Sequence, residues 1–232
     1  MRAFVISLSK IYSSANSGKK VVNDLIKFGI NASLFEGTYG NDAVDIFKKE
    51  GRELQPISFK GNAIDDNYRR SCERPGVMGC FHSHYRLWQL CAELNESIMI
   101  FEDDVIFERG FVPIEWDDIL LLATGKAAYE NDFYKEKLYS PQGEPMACKF
   151  KGKVMPGAVG YAITPKAASK LCKHYQHYYL PADNALNMSV VNLQCHSHLM
   201  GRAAVDTDGK KSLTKTGMWA KMPKKSANTP QS

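Results

Sequence analysis

Residues 75–105, PGVMGCFHSHYRLWQLCAELNESIMIFEDDV, constrain the fold of this chain more than any other stretch. Pro75 suits a first helical turn, where its missing N–H has no partner to lose. Val77, Cys80, Phe81, His84, Leu87, Trp88, Cys91 and Leu94 recur at three and four, which predicts a helix that Asn95 stops. Ser97 to Phe101 is a short continuous apolar run, as expected of a strand covered on both faces. Glu102, Asp103 and Asp104 follow at its C-terminal end, where open α/β sheets place their ligand sites.

Three adjacent carboxylates repel one another. Alternation along an extended segment puts Glu102 and Asp104 on one side and Asp103 on the other. Two oxygen donors facing one way suit a hard divalent cation such as Mg²⁺ or Mn²⁺, completed by substrate phosphates. A solvated acidic turn is the other reading, and spacing alone leaves both open.

The chain, 232 residues long, can form one large domain or two small ones. No apolar run approaches the length of a membrane span. The N-terminal MRAFVISLSK reads as a first strand, not a signal peptide. The six cysteines (Cys72, Cys80, Cys91, Cys148, Cys172 and Cys195) form no CxxC pair. They are expected to be buried free thiols in a reducing cytoplasm, neither a disulfide framework nor a zinc site. The net charge of +5 is largely a C-terminal feature, because six lysines fall between Gly209 and Lys225 with no acidic residue among them. Residues 1–208 therefore read as one domain and 209–232 as a basic tail. The tail is either a flexible end or a segment drawn to an anionic membrane, with Met218 and Trp219 at the interface. Nucleic acid is not an expected partner, since no basic stripe interleaves with stacking aromatics.

In chain order, Ala3 to Leu8 predicts a buried strand and Ser9 to Gly18 a polar turn. A helix through Val21 to Phe28 follows, stopped by Gly29. Asn31 to Phe35 predicts a strand, and Ala43 to Glu50 a helix capped by Asn41 and closed by Gly51. This opening predicts a mainly parallel central sheet in an α/β fold. Residues 52–74 read as a long surface segment, 105–107 and 119–123 as strands, and 124–153 as an irregular lid. Gly157 to Ile163 predicts a strand thinned by glycines for close approach of another group. Thr164-Pro165 opens a helix to about Tyr175, Pro181 to Asp183 opens a short one, and Asn192 to Ser197 is the last expected strand.

Among the ionisable side chains, Asp183 reads as a helix N-terminal carboxylate favoured by the dipole, or as a base. His84, on the apolar helix face, reads as a core histidine, and His82 as a residue of the opposite, exposed face. His174 and His177 read as surface residues near a helix end, while His196 and His198 stand together in QCHSH.

Four blocks in order, GCFHSHYRLW, IMIFEDDV, PGAVGYAITPKAASKL and PAD, with the opening FVISL, resemble glycosyltransferase family 25 over roughly residues 1 to 200. That family includes bacterial lipooligosaccharide galactosyltransferases and collagen galactosyltransferases. The resemblance implies a GT-A-like, Rossmann-like domain and a divalent metal, Mn²⁺ or Mg²⁺. It also implies inverting transfer of a hexose, galactose from UDP-galactose foremost, to a lipooligosaccharide or lipopolysaccharide acceptor. Glu102 and Asp104 would bind the metal, with His196 or His198 as a further ligand. Asp183 would be the catalytic base. Leu8, Ser83, His84, Asp103, Gly160, Tyr161 and Thr164 would contact donor and sugar. The protein would be cytoplasmic, with peripheral contact to the inner membrane. The chain departs from the family at Val77, where a glutamate is common, and after Leu8, where Ser13 to Lys20 offers lysines in place of an arginine. The residues by themselves also suit a metal-dependent nucleotidyltransferase or phosphohydrolase, or a non-catalytic carbohydrate-binding protein.

Overall fold

The computed structural model describes residues 1–56, 65–125, 143–149, 153–155 and 157–204. Strand β1 (Arg2–Ser7) leads through helix α1 (Tyr12–Lys27) to β2 (Asn31–Glu36), and α2 (Gly40–Glu50) follows. After β3 (Glu53–Leu54), α3 (Asp66–Cys72) precedes the long α4 (Pro75–Leu94), which feeds β4 (Ile98–Glu102). Then come β5 (Val105–Phe107), β6 (Ile119–Thr124), β7 (Ala147–Lys149), β8 (Gly160–Ile163) and α5 (Pro165–His174). The described chain ends with β9 (Tyr178–Tyr179), α6 (Ala182–Ala185), β10 (Leu193–His196) and β11 (Gly201–Ala203).

Nine strands form one curled sheet, ordered β2-β1-β4-β8-β6-β10-β7, with β11 joining β6 to β5. The pairs β1·β2, β1·β4, β6·β10 and β6·β11 are parallel. The pairs β4·β8, β6·β8, β7·β10 and β5·β11 are antiparallel. The sheet is therefore mixed, not mainly parallel. Apolar runs predict strands covered on both faces, but they carry no record of direction, and β8 inserts in reverse between β4 and β6.

On one face, α2, α4, α5 and α6 cover a core around Phe81, Trp88, Tyr161 and Tyr175. Phe81 packs edge-on against both Trp88 and Tyr175, a favoured aromatic geometry. On the other face, α1 buries Val21 and Leu25 against Val5 and Phe101. Asn95 takes a left-handed conformation (φ 50°) and reverses the chain from α4 into β4, a role open to asparagine but costly for most other side chains.

Helix α1 begins at Tyr12, so the expected polar turn is mostly helix. Its small residues are packing choices: Ser14 is buried and accepts the Leu8 N–H at 2.8 Å. A Cβ on Gly18 would lie 2.8 Å from Ser7 Cβ. Helix α2 starts at Gly40, which puts Asn41 inside its first turn and not at the cap. Two further corrections concern β7, which lies inside the expected lid, and β11, which follows the expected last strand. Residues 126–142, 150–152 and the tail from 205 lie outside the described residues. Among the described residues, no helix is long and apolar enough to cross a membrane.

Candidate active site at the C-terminal sheet edge

The chain leaves β1 toward β2 on one side and later returns to β4 on the other. Such a reversal of strand order opens a crevice at the carboxyl ends of the strands. Ile6 stands in register with Phe35 and with Glu102, so Glu36 and Glu102 flank the end of β1. Two strand spacings separate them, roughly 10 Å.

On the β4 side, Glu102 ends its strand with its N–H donating to Val159 O at 2.9 Å. Asp103 and Asp104 lie in the turn before β5, not in an extended segment, so strand alternation does not orient them. The Asp104 carbonyl accepts the Ala204 N–H at 2.8 Å, which pins that turn to the end of β11. Helix α4 supplies the partners of Glu102. The Cys80 thiol donates to its Oε1 at 3.4 Å, and His84 Nε2 lies 3.3 Å from the same oxygen. Behind His84, its Nδ1 meets the Tyr161 hydroxyl at 2.9 Å. That hydroxyl accepts the Trp88 Nε1–H at 2.8 Å.

These contacts fix the imidazole tautomer. The Glu102 carboxylate only accepts, so the neutral His84 ring keeps its proton on Nε2 and takes the Tyr161 hydroxyl proton on Nδ1, while that hydroxyl accepts the Trp88 N–H. His84 Nε2–H then donates to Glu102. His84 and Tyr161 are fully buried, whereas the Glu102 side chain is 27% exposed. Oε1 takes both contacts from α4.

Asp183, at the start of α6, converges on the same place. Burial pushes its carboxyl above the ordinary value, and the negative charge of Glu102 adds to this, with His84 pulling the other way. Its Oδ1 accepts the Asn184 N–H at 2.9 Å. The Cys80 thiol is pushed well up by burial, then by Glu102, Asp183 and Asp104. The negative charge of Glu102 is thus felt at the half-buried Asp183, and a cation beside Glu102 would relieve that repulsion. Oxygen atoms of Glu102 and Asp104 fit a hard divalent ion by donor type. Glu102 also belongs to a second donor set: with Cys80 and His84 it forms a group whose ligand atoms all lie within 4.8 Å of one another.

On the β2 side lies a cleft of about 480 Å³ lined by Lys10, Glu36, Thr38, Tyr39, His82 and Arg86, among others. Tyr39 donates its hydroxyl proton to Glu36 at 2.9 Å and accepts the Lys10 N–H at 2.8 Å. Arg86 stacks on Phe35 and donates to Glu36 O at 3.0 Å. His82 faces Thr38 Oγ1 at 2.8 Å, and it is not the solvent-exposed residue its helical position predicts. Burial, then Arg52 and Arg86, lower its pKa to about 4.

The structure brings Glu102, Asp183, His84 and the Asp103–Asp104 turn to one end of the sheet, with Leu8 and Ser83 beside the cleft. Ser83 is buried, accepts the Thr38 N–H at 2.8 Å and ties the β2–α2 loop to α4. Four expected residues stand elsewhere or serve otherwise. Thr164 caps α5, and its neighbour Ile163 pairs with Ile98 at the start of β4, the opposite sheet edge. Gly160 makes room for a neighbouring side chain and not for a ligand, since a Cβ there would lie 2.6 Å from Phe101 Cδ1. His196 donates from Nε2 to Val112 O at 2.8 Å and accepts the His198 N–H on Nδ1 at 2.9 Å, so both nitrogens are engaged. It and His198 sit at the end of β10, three strand spacings from β4, roughly 14 Å.

Cys80, Lys10, Glu36, Tyr39 and Arg86 join the site without having been expected there. Cys80 and His84 at i and i+4 share one helix face, a signal present in the sequence. The cleft residues come from two strand ends and a distant helix, so no local pattern unites them.

The family model described as "Glycosyltransferase family 25 (LPS biosynthesis protein)" matches residues 1–186. The chain is 28% identical over 198 residues to a Rattus norvegicus protein named "Probable inactive glycosyltransferase 25 family member 3", covering 79% of this chain and 32% of that one. A Drosophila melanogaster "Glycosyltransferase 25 family member" is 25% identical over 176 residues, covering 73% and 27%. The Haemophilus influenzae "Lipooligosaccharide biosynthesis protein lic2B" is 31% identical over 110 residues, covering 43% and 41%. The match spans about a quarter to a third of the length of the first of these relatives.

Proposed function

The chain belongs to glycosyltransferase family 25, and from that premise we propose that it transfers a hexose from a nucleotide diphosphate donor to a glycolipid acceptor. The carrying observation is the placement of Glu102 at the strand-order reversal beside an open cleft, with Asp183 within electrostatic reach of it. A GT-A-like arrangement accords with this: the nucleoside lies in the cleft beyond β2 and the diphosphate lies over the end of β4. Glu102 and Asp104 would hold a divalent cation, Mn²⁺ or Mg²⁺, which would supply charge neutralisation for the departing diphosphate. His84 and Cys80 hold Glu102 by Oε1. Arg86 and Lys10 offer positive charge at the cleft. Asp183, made more basic by burial, accepts the proton of the attacking hydroxyl, and a single displacement inverts the anomeric carbon. Galactose from UDP-galactose is the donor implied by the sequence resemblance. The printed name of the Haemophilus relative supports a lipooligosaccharide acceptor. Residues 1–208 carry the transferase, and the basic segment 209–232 carries contact with an anionic membrane.

A second reading comes from relatives whose printed names call them inactive: a binding protein that keeps the fold. Incubating the chain with a panel of nucleotide sugars, with and without chelator, separates the two. Cation-dependent release of nucleoside diphosphate from one donor, abolished in Asp104→Ala, is the expected result. No release from any donor favours the binding protein.

A further inference from the structure

We propose that Cys80, His84 and Glu102 form a binding site for a thiophilic divalent ion, Zn²⁺ foremost, that shares only Glu102 with the hard-cation position. One thiol, one imidazole and one carboxylate are the donor types of zinc sites, whereas Mg²⁺ and Ca²⁺ take oxygen. The spacing agrees. A tetrahedral zinc ion with bonds of about 2.0–2.3 Å holds its ligand atoms roughly 3.3–3.7 Å apart. His84 Nε2 and Cys80 Sγ lie 3.3 and 3.4 Å from Glu102 Oε1, and all three ligand atoms fall within 4.8 Å of one another. Cys80 and His84 project from one face of α4, so the helix itself sets two of the three positions.

The second shell is built as well. Zinc-bound histidines nearly always use their other nitrogen to hold a partner that orients the ring. His84 Nδ1 already meets the buried Tyr161 hydroxyl, itself held by Trp88. The protons balance as follows. Zn²⁺ takes the place of the Cys80 thiol proton, which passes to solvent as a sulfur–zinc bond forms. The His84 proton shifts from Nε2 to Nδ1, so the ring binds through Nε2 and stays neutral. Nδ1–H then donates to one lone pair of the Tyr161 oxygen, which keeps the Trp88 N–H on the other, and the Tyr161 O–H rotates off the ring nitrogen. One proton is released per ion. Water completes the fourth position from the exposed side of Glu102. A bound zinc ion withdraws Glu102 from the hard cation, so the two ions exclude each other; this consequence alone rests on the transferase reading.

Cobalt titration of the full chain tests the site without any sugar nucleotide, and therefore independently of turnover. Co²⁺ is expected to give a cobalt–thiolate charge-transfer band that saturates at one ion per chain, with one proton released and the band erased by Zn²⁺. Cys80→Ser should abolish the band, while Cys148→Ser, whose thiol lies on β7, should keep it. Glu102→Gln should weaken Co²⁺ binding at least about tenfold. Tyr161→Phe should weaken it about tenfold with the band retained, the loss typical of an outer-shell partner. Absence of the band in the wild-type chain, its persistence in Cys80→Ser, or its loss in Cys148→Ser would overturn the proposal.

Discussion

On the β4 side of β1, Glu102 meets side chains that are themselves buried and hydrogen-bonded in series back to Trp88. On the β2 side, Glu36 meets the Tyr39 hydroxyl and the backbone of Ser9, groups at an open cleft. Both carboxylates end parallel strands one step from β1, yet one is held from behind and the other from the front. The difference follows from what meets each strand end. Helix α4 offers Cys80 and His84 to the Glu102 carboxylate, while the loop into α2 offers Tyr39 to the Glu36 carboxylate. A carboxylate held from behind keeps its position when a ligand arrives. One held from the front changes partners when a ligand enters.

The largest effect should come from the buried side. Asp183→Asn is expected to lower transfer by about 10²-fold or more, as loss of a general base does, with donor binding little changed. The same substitution should stabilise the fold near neutral pH. Burial, then Glu102, raise the folded-state pKa of Asp183, so the folded chain binds more protons than the unfolded one. Stability is then lost as pH rises through the interval between the two values. Asparagine removes that loss, and thermal melts across acidic to neutral pH should show the variant gaining on the wild type as pH increases. A variant that is inactive and also destabilised at neutral pH would give Asp183 a structural part instead.

Next in size is Tyr161→Phe, which strands the Trp88 N–H and frees His84 from its tautomer. Urea unfolding should report a loss of about 1–3 kcal/mol, the cost of buried groups left unsatisfied. A neutral substitution would mean that the series behind Glu102 contributes nothing. The smallest effects belong to the cleft. Arg86→Ala should raise the donor KM by about tenfold or less with kcat unchanged, as loss of one charge-assisted contact predicts. Tyr39→Phe should shift stability by less than about 0.5 kcal/mol. A fall in kcat for Arg86→Ala would erase the contrast between the two sides.

Much of the buried side was legible in the sequence and little of the open side. The helix over 75–94 and the strand ending at Glu102 show themselves by periodicity and an unbroken apolar run, and Asp183 follows a proline that starts its helix. Orientation was not legible. Gly160 to Ile163 reads as a strand, but nothing local says that it runs against β4, and that reversal carries Thr164 to the far edge. Serine, asparagine and glycine in 13–18 read as a turn because their value there is small size against β1, which composition cannot express. Cys80 and His84 show their shared helix face at i and i+4, but Glu102 comes from a separate strand with no fixed spacing to them, so the sequence alone reads Cys80 only as a buried thiol.

The reversed strand β8 has a consequence for the order in which the molecule is made. Glu102, Cys80 and His84 are all synthesised within the first 102 residues, but Tyr161 arrives some sixty residues later. Until β8 slots between β4 and β6, His84 has no partner at Nδ1, and the two parallel halves of the sheet have no common seam. Non-local pairings of this kind are the slow steps of folding. Maturation of the site is thereby tied to closure of the sheet, so a chain released short of β8 carries the acidic motif without the hydrogen bonds that aim it.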